Sequence, residues 1–202
     1  MDALSEALSA VRMTGAIFFD AVCTAPWGFT VPAMKHVAHL LSPGTERLVA
    51  YHLVAEGTAV VTLPGGTEVP ISTGDIVILP HGAPHTVTNG TPVALIDSEK
   101  DLYQQLSGDL STMHLGGGGA VTRFICGYFG CERQAEQLFL AGLPPLIKIN
   151  VLGDTAGAWL EHSIRHLVAE AGSGRPGRNV LLSKMAEALF IESVRGHVEA
   201  LP

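Results

Sequence analysis

The sequence predicts a mainly β domain closed into a sandwich or barrel, preceded by a short helix and followed by a pair of helices. Three observations carry this. Short apolar or alternating runs of about five to eleven residues recur from Gly15 to Asp97. Turn signals punctuate them at regular intervals, at Pro43-Gly44, Pro64-Gly65-Gly66, Thr73-Gly74-Asp75, Pro80-His81-Gly82 and Asn89-Gly90. Beyond Cys131 the apolar spacing changes to that of helices.

Taken in order, Asp2 to Arg12 places Leu4, Leu8 and Val11 on one face of an amphipathic helix. The β runs are AIFFDAVC, GFTVPA, RLVAYHLVAEG, AVVTLP, EVPIS, DIVILP, HTVTN and VALID. A weaker stretch, Leu102 to Gly119, ends in Gly116 to Gly119. Those four glycines lack the Lys-Ser/Thr pair of a phosphate-binding loop and read as a flexible connection. VTRFICGYF is the last strongly β segment. A short helical piece, Glu132 to Leu140, and an extended run, Leu146 to Leu152, follow it. Ala156 to Ala171 then aligns Leu160, Ile164, Leu167 and Val168, and after the GSGRPG linker a second helix runs from Arg178 to about Glu199. A β domain over 1–152 and a helical pair over 153–202 are expected. The broad apolar face of Leu181, Leu182, Met185, Leu189 and Val194 serves either core packing or a homodimer.

Composition narrows the function. The 202 residues are 47% hydrophobic and 15% charged, enough to fill one core. The net charge is −7, from 12 basic and 19 acidic residues, and no Lys or Arg occurs between Arg47 and Lys100. Nucleic-acid binding by these residues is therefore excluded. No secretory signal or membrane-length apolar run is present. Three cysteines, Cys23, Cys126 and Cys131, make a poor disulfide framework and point to reduced thiols in the cytoplasm.

The stretch Gly74 to Asn89, GDIVILPHGAPHTVTN, carries the chemistry. Gly74-Asp75 turns into a buried strand, Pro80 and Gly82 shape a hairpin, and His85 begins the returning strand. This resembles the second motif of the cupin superfamily at every fixed position. Counting from Gly44, the first cupin motif puts Ala50 where its first His belongs, His52 at the second and Glu56 at the acid. Residues 50, 52, 54 and 56 share strand parity, so His52 and Glu56 should face the same way. Glu56 is either a site carboxylate or an exposed strand end. Parity also places Cys126 with Phe124 and Tyr128, and leaves Cys131 peripheral.

Cys23, His52, His85 and Cys126 are accordingly the expected metal ligands. Two imidazoles and two thiolates suit tetrahedral Zn(2+). The same set could act as a thiol sensor. His52, Glu56, His85 and Tyr128 are the expected contacts for an organic ligand. Competing readings are small core cysteines and hydrogen-bonded pocket histidines. His81, at the hairpin tip, is expected in solvent, and His162 with His166 as a surface pair.

The ordered series PWGFTVP (26–32), YHLVAEG (51–57), GDIVILPHGAPH (74–85), FICGYFGC (124–131) and LPPLIKI (143–149) resembles the amino-terminal sensor half of AraC-type transcriptional regulators. The resemblance implies a cupin-type double-stranded β-helix, or jelly-roll barrel, that is not an enzyme. It would read a small molecule or an oxidant and pass the signal to its C-terminal helices. DNA contact would belong to a helix-turn-helix region after the helical pair, from which this sensor half is expected to have been separated. Some members respond to oxidants through cysteines in this half. The alternative is a metal-dependent cupin enzyme, a dioxygenase or isomerase, against which Ala50 argues.

Overall fold

A computed structural model describes residues 13–41, 47–91, 94–97, 112–131, 140–150, 162–163, 166, 169–170 and 175–199. The N-terminal helix, the piece over 132–139, most of the first C-terminal helix and the boundary at 152/153 lie outside these residues.

Two sheets face each other across the core. The first contains β1 (Met13–Thr24), β3 (Arg47–Glu56), β6 (Asp75–Leu79), β9 (Met113–Gly116), β10 (Val121–Cys131) and β11 (Ile147–Asn150), in the order β11-β6-β3-β10-β1-β9. The second contains β2 (Gly28–Val31), β4 (Thr58–Thr62), β5 (Glu68–Ser72), β7 (His85–Thr88) and β8 (Ile96–Asp97), in the order β5-β4-β7-β2-β8. Leu48, Ala50, Val54, Val77, Leu79 and Phe124 from one sheet share a core with Phe29, Val61, Ile71 and Val87 from the other. This is consistent with the sandwich or barrel that the strand pattern predicts and with the jelly-roll barrel that the resemblance implies.

The middle strands of the first sheet, β3, β6 and β10, are buried on both faces. Val49, Leu53, Ile76, Ile78 and Ile125 alternate with the core residues and are buried too. That is why RLVAYHLV and DIVIL read as continuous apolar runs. Helix α2 (Arg178–Glu199) touches β1 and β11 and buries Phe190 and Val194. Its bounds agree with the apolar spacing, but Val180 and Leu181 near its start are exposed.

Strand β11 is pinned to β6 by more than its ladder. The buried Asp75 carboxylate accepts from Ser72 N–H at 2.7 Å and Asn150 Nδ2 at 2.8 Å, and pairs with Lys148 Nζ at 3.1 Å. A buried carboxylate is tolerated only when so fully partnered.

Three elements differ from the sequence reading. Helix α1 (Met34–Leu41) follows β2 where no helix was expected. It buries Met34, Val37 and Ala38, a helical spacing masked by the extended GFTVPA run before it. Strand β9 lies in the stretch read as weak and pairs parallel with β1. The run Gly116–Gly119 is a close-packed clamp, not a loose connection. Gly117 N–H and Gly118 N–H donate to Thr24 O at 2.8 Å and Thr24 Oγ1 at 2.9 Å, and Gly119 N–H donates to Ala25 O at 2.8 Å. A Cβ on Gly116, whose φ is +108°, would collide with the Thr24 carbonyl oxygen.

A candidate thiol–imidazole site

Strands β10 and β3 are antiparallel, with Cys126 opposite His52, and His52 is opposite Val77 on β6. His85 opens β7 on the facing sheet, opposite Val31. The turn before it is fixed by Gly82, with φ of +57°, where a Cβ would meet Leu48 O at 2.5 Å and Met34 Cβ at 2.7 Å. Only glycine fits there. The fixed residues of the motif thus place His85 against the inner face of β3.

The three side chains form one connected chain. Cys126 Sγ is 2.7 Å from His52 Nδ1, and His52 Nε2 is 2.7 Å from His85 Nε2. His85 Nδ1 is 2.9 Å from Ala83 O. All three residues are buried, and the Phe29 ring stands 6.3 Å from the His52 ring.

Burial fixes the charge state. It holds His52 well below the usual imidazole range, with His85 lowering it further. It pushes His85 down to about 4, against a smaller opposing effect of the bond to Ala83. Burial raises the Cys126 thiol well above its ordinary range, and Cys23 and Asp20 add to that. With both imidazoles lowered and the thiol raised, burial favours the uncharged form of all three side chains, and the Ala83 carbonyl then sets the direction of every bond. Ala83 O can only accept, so His85 donates from Nδ1 and its Nε2 accepts. His52 therefore donates from Nε2, leaving Nδ1 to accept from Cys126 S–H. Each imidazole thus donates once and accepts once.

Cys23 is not brought to this chain. It is fully buried on β1 opposite Thr122, whereas Cys126 is opposite Phe19. The two cysteines are separated by four residues of strand, about 13 Å along the sheet. The row between them holds Ala21 and the buried Phe124. Burial pushes Cys23 up to about 12.

Glu56 is also elsewhere. The register shifts between Arg123 and Phe124, so Glu56 pairs with Arg123 while Val54 pairs with Phe124. The extra residue, Ala55, reverses the parity, and Glu56 ends exposed, off the His52 face. Tyr128 is buried on the core face beside Cys126, in the row of Ala50. His81, expected in solvent, is half-buried and donates from Nε2 to Leu143 O at 2.9 Å. His162 and His166 are exposed.

Sequence reasoning missed the parts that orient the site: the Ala83 carbonyl, Leu143, and the aromatic wall of Trp27, Phe29 and Phe124. Trp27 stacks on Phe29 at 6.0 Å and meets Phe124 edge-on at 5.5 Å. Its presence in PWGFTVP was the available signal, since a Trp between two strand starts is normally buried.

The barrel and its buried His pair define a cupin domain. The chain belongs to the Cupin family, whose model matches residues 2–199. It is 28% identical over 207 residues to the HTH-type transcriptional regulator AlkR of Acinetobacter baylyi, covering 100% of this chain and 62% of that protein. It is 24% identical over 196 residues to the RCS-specific HTH-type transcriptional activator RclR of Escherichia coli, covering 96% of this chain and 56% of that protein. The chain thus spans about three-fifths of the length of these curated relatives. Among solved structures, apo ToxT K231A of Vibrio cholerae aligns with a TM-score of 0.46 at 7% identity, over 91% of this chain and 57% of that one. The two HTH-type regulators agree with the AraC-type resemblance, and each contains a region similar to this chain.

A single zinc ion does not fit the four expected ligands as they stand. Cys126 and His85 face opposite nitrogens of the His52 ring, so one ion cannot take all three. Cys23 lies two inward rows away. Among the described residues no group of three or more His, Cys, Asp or Glu side chains is disposed to hold a metal ion. Ala50, at the first-His position of the motif, offers only a methyl group to the core. Among the described residues no helix is long and apolar enough to cross a membrane.

Proposed function

We propose that this chain is the sensing part of a cytoplasmic transcription regulator, not an enzyme, and that its barrel reads a small two-electron oxidant at Cys126. The observation that carries this is the 2.7 Å contact between Cys126 Sγ and His52 Nδ1. A buried thiol held protonated is a poor nucleophile by itself. An imidazole nitrogen beside it changes that, because the proton can leave as the sulfur attacks. With hypochlorous acid, sulfur takes the chlorine and the Cl–O bond breaks. His52 carries the thiol proton to the departing hydroxide, which leaves as water. No free thiolate need exist in the interior. The AraC-type resemblance, which implies that some sensor halves respond to oxidants through cysteines, supports an oxidant as the signal.

The signal has a route outward. The hairpin that carries Ala83 also carries Gly82, whose carbonyl accepts from Met34 N–H of α1 at 2.9 Å, and His81, bonded to Leu143. Leu143 leads into β11, which contacts α2. DNA contact is assigned to the part of such regulators beyond this match, in keeping with a charge of −7 here. The homodimer is assigned to α2, where Val180 and Leu181 are exposed; sedimentation equilibrium checks it.

The test is competitive oxidation of the native chain by hypochlorous acid, followed by peptide mapping. Cys126 should be consumed before Cys23, and His52→Gln should slow it by about a hundredfold or more, the scale of a lost general base. Consumption of Cys23 with Cys126 untouched would overturn the assignment.

A further inference from the structure

Oxidation of Cys126 raises the question of where the activated sulfur goes next. A disulfide requires Cα atoms within about 7 Å. Cys23 stands about 13 Å along the strand, behind the row of Ala21 and Phe124, and is out of reach without rebuilding the sheet. The nucleophile already in contact is a nitrogen. The His52 Nδ1 lone pair points at Cys126 Sγ from 2.7 Å, inside a buried pocket that holds both rings in place.

Resting on the oxidant reading above, we propose that oxidation by a hypohalous acid ends in a covalent bond between Cys126 Sγ and His52 Nδ1. The thiol first takes the halogen and releases water, as described. His52 Nδ1 then attacks the sulfur, the S–Cl bond breaks, and chloride leaves with its electron pair. The His52 Nε2 proton passes to His85 Nε2, 2.7 Å away, and His85 releases its own Nδ1 proton on the part-buried Ala83 side, so that one proton leaves the site in all. The balance is one thiol, one imidazole and one hypochlorous acid giving one S–N bond, one water, one chloride and one proton. The sulfur is oxidised by two electrons and the chlorine reduced by two. A reducing thiol reverses the bond by attacking sulfur and returning a proton to nitrogen.

The bond reverses the polarity of the whole chain. Once Nδ1 is sulfenylated and Nε2 has lost its proton, His52 Nε2 can only accept. His85 now holds its proton on Nε2, donates it to His52 Nε2, and as a neutral ring has none left on Nδ1 for Ala83 O. Loss of that bond breaks a link that holds the 80–85 hairpin to the barrel interior. That hairpin anchors α1 through Gly82 and the approach to β11 through His81. A two-electron event at one sulfur is thereby converted into release of a hairpin, and a buried unpaired acceptor makes the release favourable.

The experiment treats the reduced 202-residue chain with stepwise hypochlorous acid, digests it without reductant, and searches for a linked peptide containing His52 and Cys126. The expected result is that peptide, lighter by two hydrogen atoms than its parts and released by dithiothreitol. It should persist in Cys23→Ser and vanish in Cys126→Ser. Hydrogen exchange over 80–85 should rise on oxidation and return on reduction. These wild-type measurements need no His52 variant to fold. A disulfide, a sulfinic acid or a stable sulfenic acid at Cys126 with no linked peptide would overturn the S–N bond and leave the oxidant reading standing. An unmodified Cys126 would overturn both.

Discussion

Cys23 and Cys126 are the same residue type on the same inner face of the same sheet, both buried, and only one of them touches an imidazole in the structure. Cys126 lies against an imidazole nitrogen that accepts its proton and continues into a second imidazole. Cys23 pairs with Leu115 on β9, next to the glycine clamp on Thr24 and Ala25, and its thiol is raised by burial alone. Burial by itself makes a thiol inert. A hydrogen-bonded base makes the same burial useful, because it holds the pair in one geometry and keeps bulk water and large thiols away. The contrast between the two cysteines is therefore the means of testing the account.

The largest expected effect breaks the Cys23 end. Gly116→Ala forces a Cβ onto the Thr24 carbonyl at a positive φ and should destabilise the fold by about 3 kcal/mol or more. Denaturant unfolding would show the loss. In the native fraction at low temperature the Cys23 thiol should become more accessible to a small alkylating agent, while the Cys126 reaction with hypochlorous acid keeps its rate.

The next effect belongs to the imidazole end and is read by pH. His52 and His85 are lowered in the folded state, His85 to about 4. Between an unfolded value near 6.5 and that folded value, the unfolded chain takes up protons that the folded chain refuses. Their contribution is therefore complete above about pH 6.5 and is lost as pH falls toward 4. The slope is about 1.4 kcal/mol per pH unit for each imidazole. Replacing His85 with Gln should remove one imidazole's share of that slope in urea titrations at pH 6, 5 and 4.5.

Smaller still is the cost of truncating each sulfur. Cys126→Ala leaves His52 Nδ1 a buried acceptor without a donor, worth about 2 kcal/mol, and Cys126→Ser should restore part of it. Cys23→Ala loses only the packing of one sulfur, about 1 kcal/mol. Equal costs for the two alanine variants would remove the distinction between the cysteines.

Much of the fold could be read from the chain because its period-2 runs, turn glycines and the GDIVILPHGAPH motif all specify the same barrel. The His52–His85 meeting was legible for the same reason, since motif spacing and strand parity fix both. Parity also placed Cys126 on the core face with Phe124 and Tyr128. It failed where a strand departs from period 2: one extra residue at Ala55 turned Glu56 away. It also cannot measure distance along a strand, so Cys23 shared the correct face yet lay two rows from Cys126. Helix α1 escaped notice because its three buried residues follow directly on an extended run. The close packing of Gly116–Gly119 depends on Thr24 and Ala25, nearly a hundred residues earlier, and no local pattern reports that.

The central claim is the direction of the Cys126–His52–His85 chain, and long-range 1H–15N correlation of the imidazole nitrogens at pH 7 tests it most directly. The account predicts opposite tautomers: His52 protonated on Nε2 with Nδ1 bare, and His85 protonated on Nδ1 with Nε2 bare. Oxidation with hypochlorous acid should shift the His52 Nδ1 signal, and dithiothreitol should restore it. Two imidazoles both protonated on Nδ1, with both Nε2 atoms carrying the shift of a metal-bound nitrogen, would contradict the account and return the site to zinc.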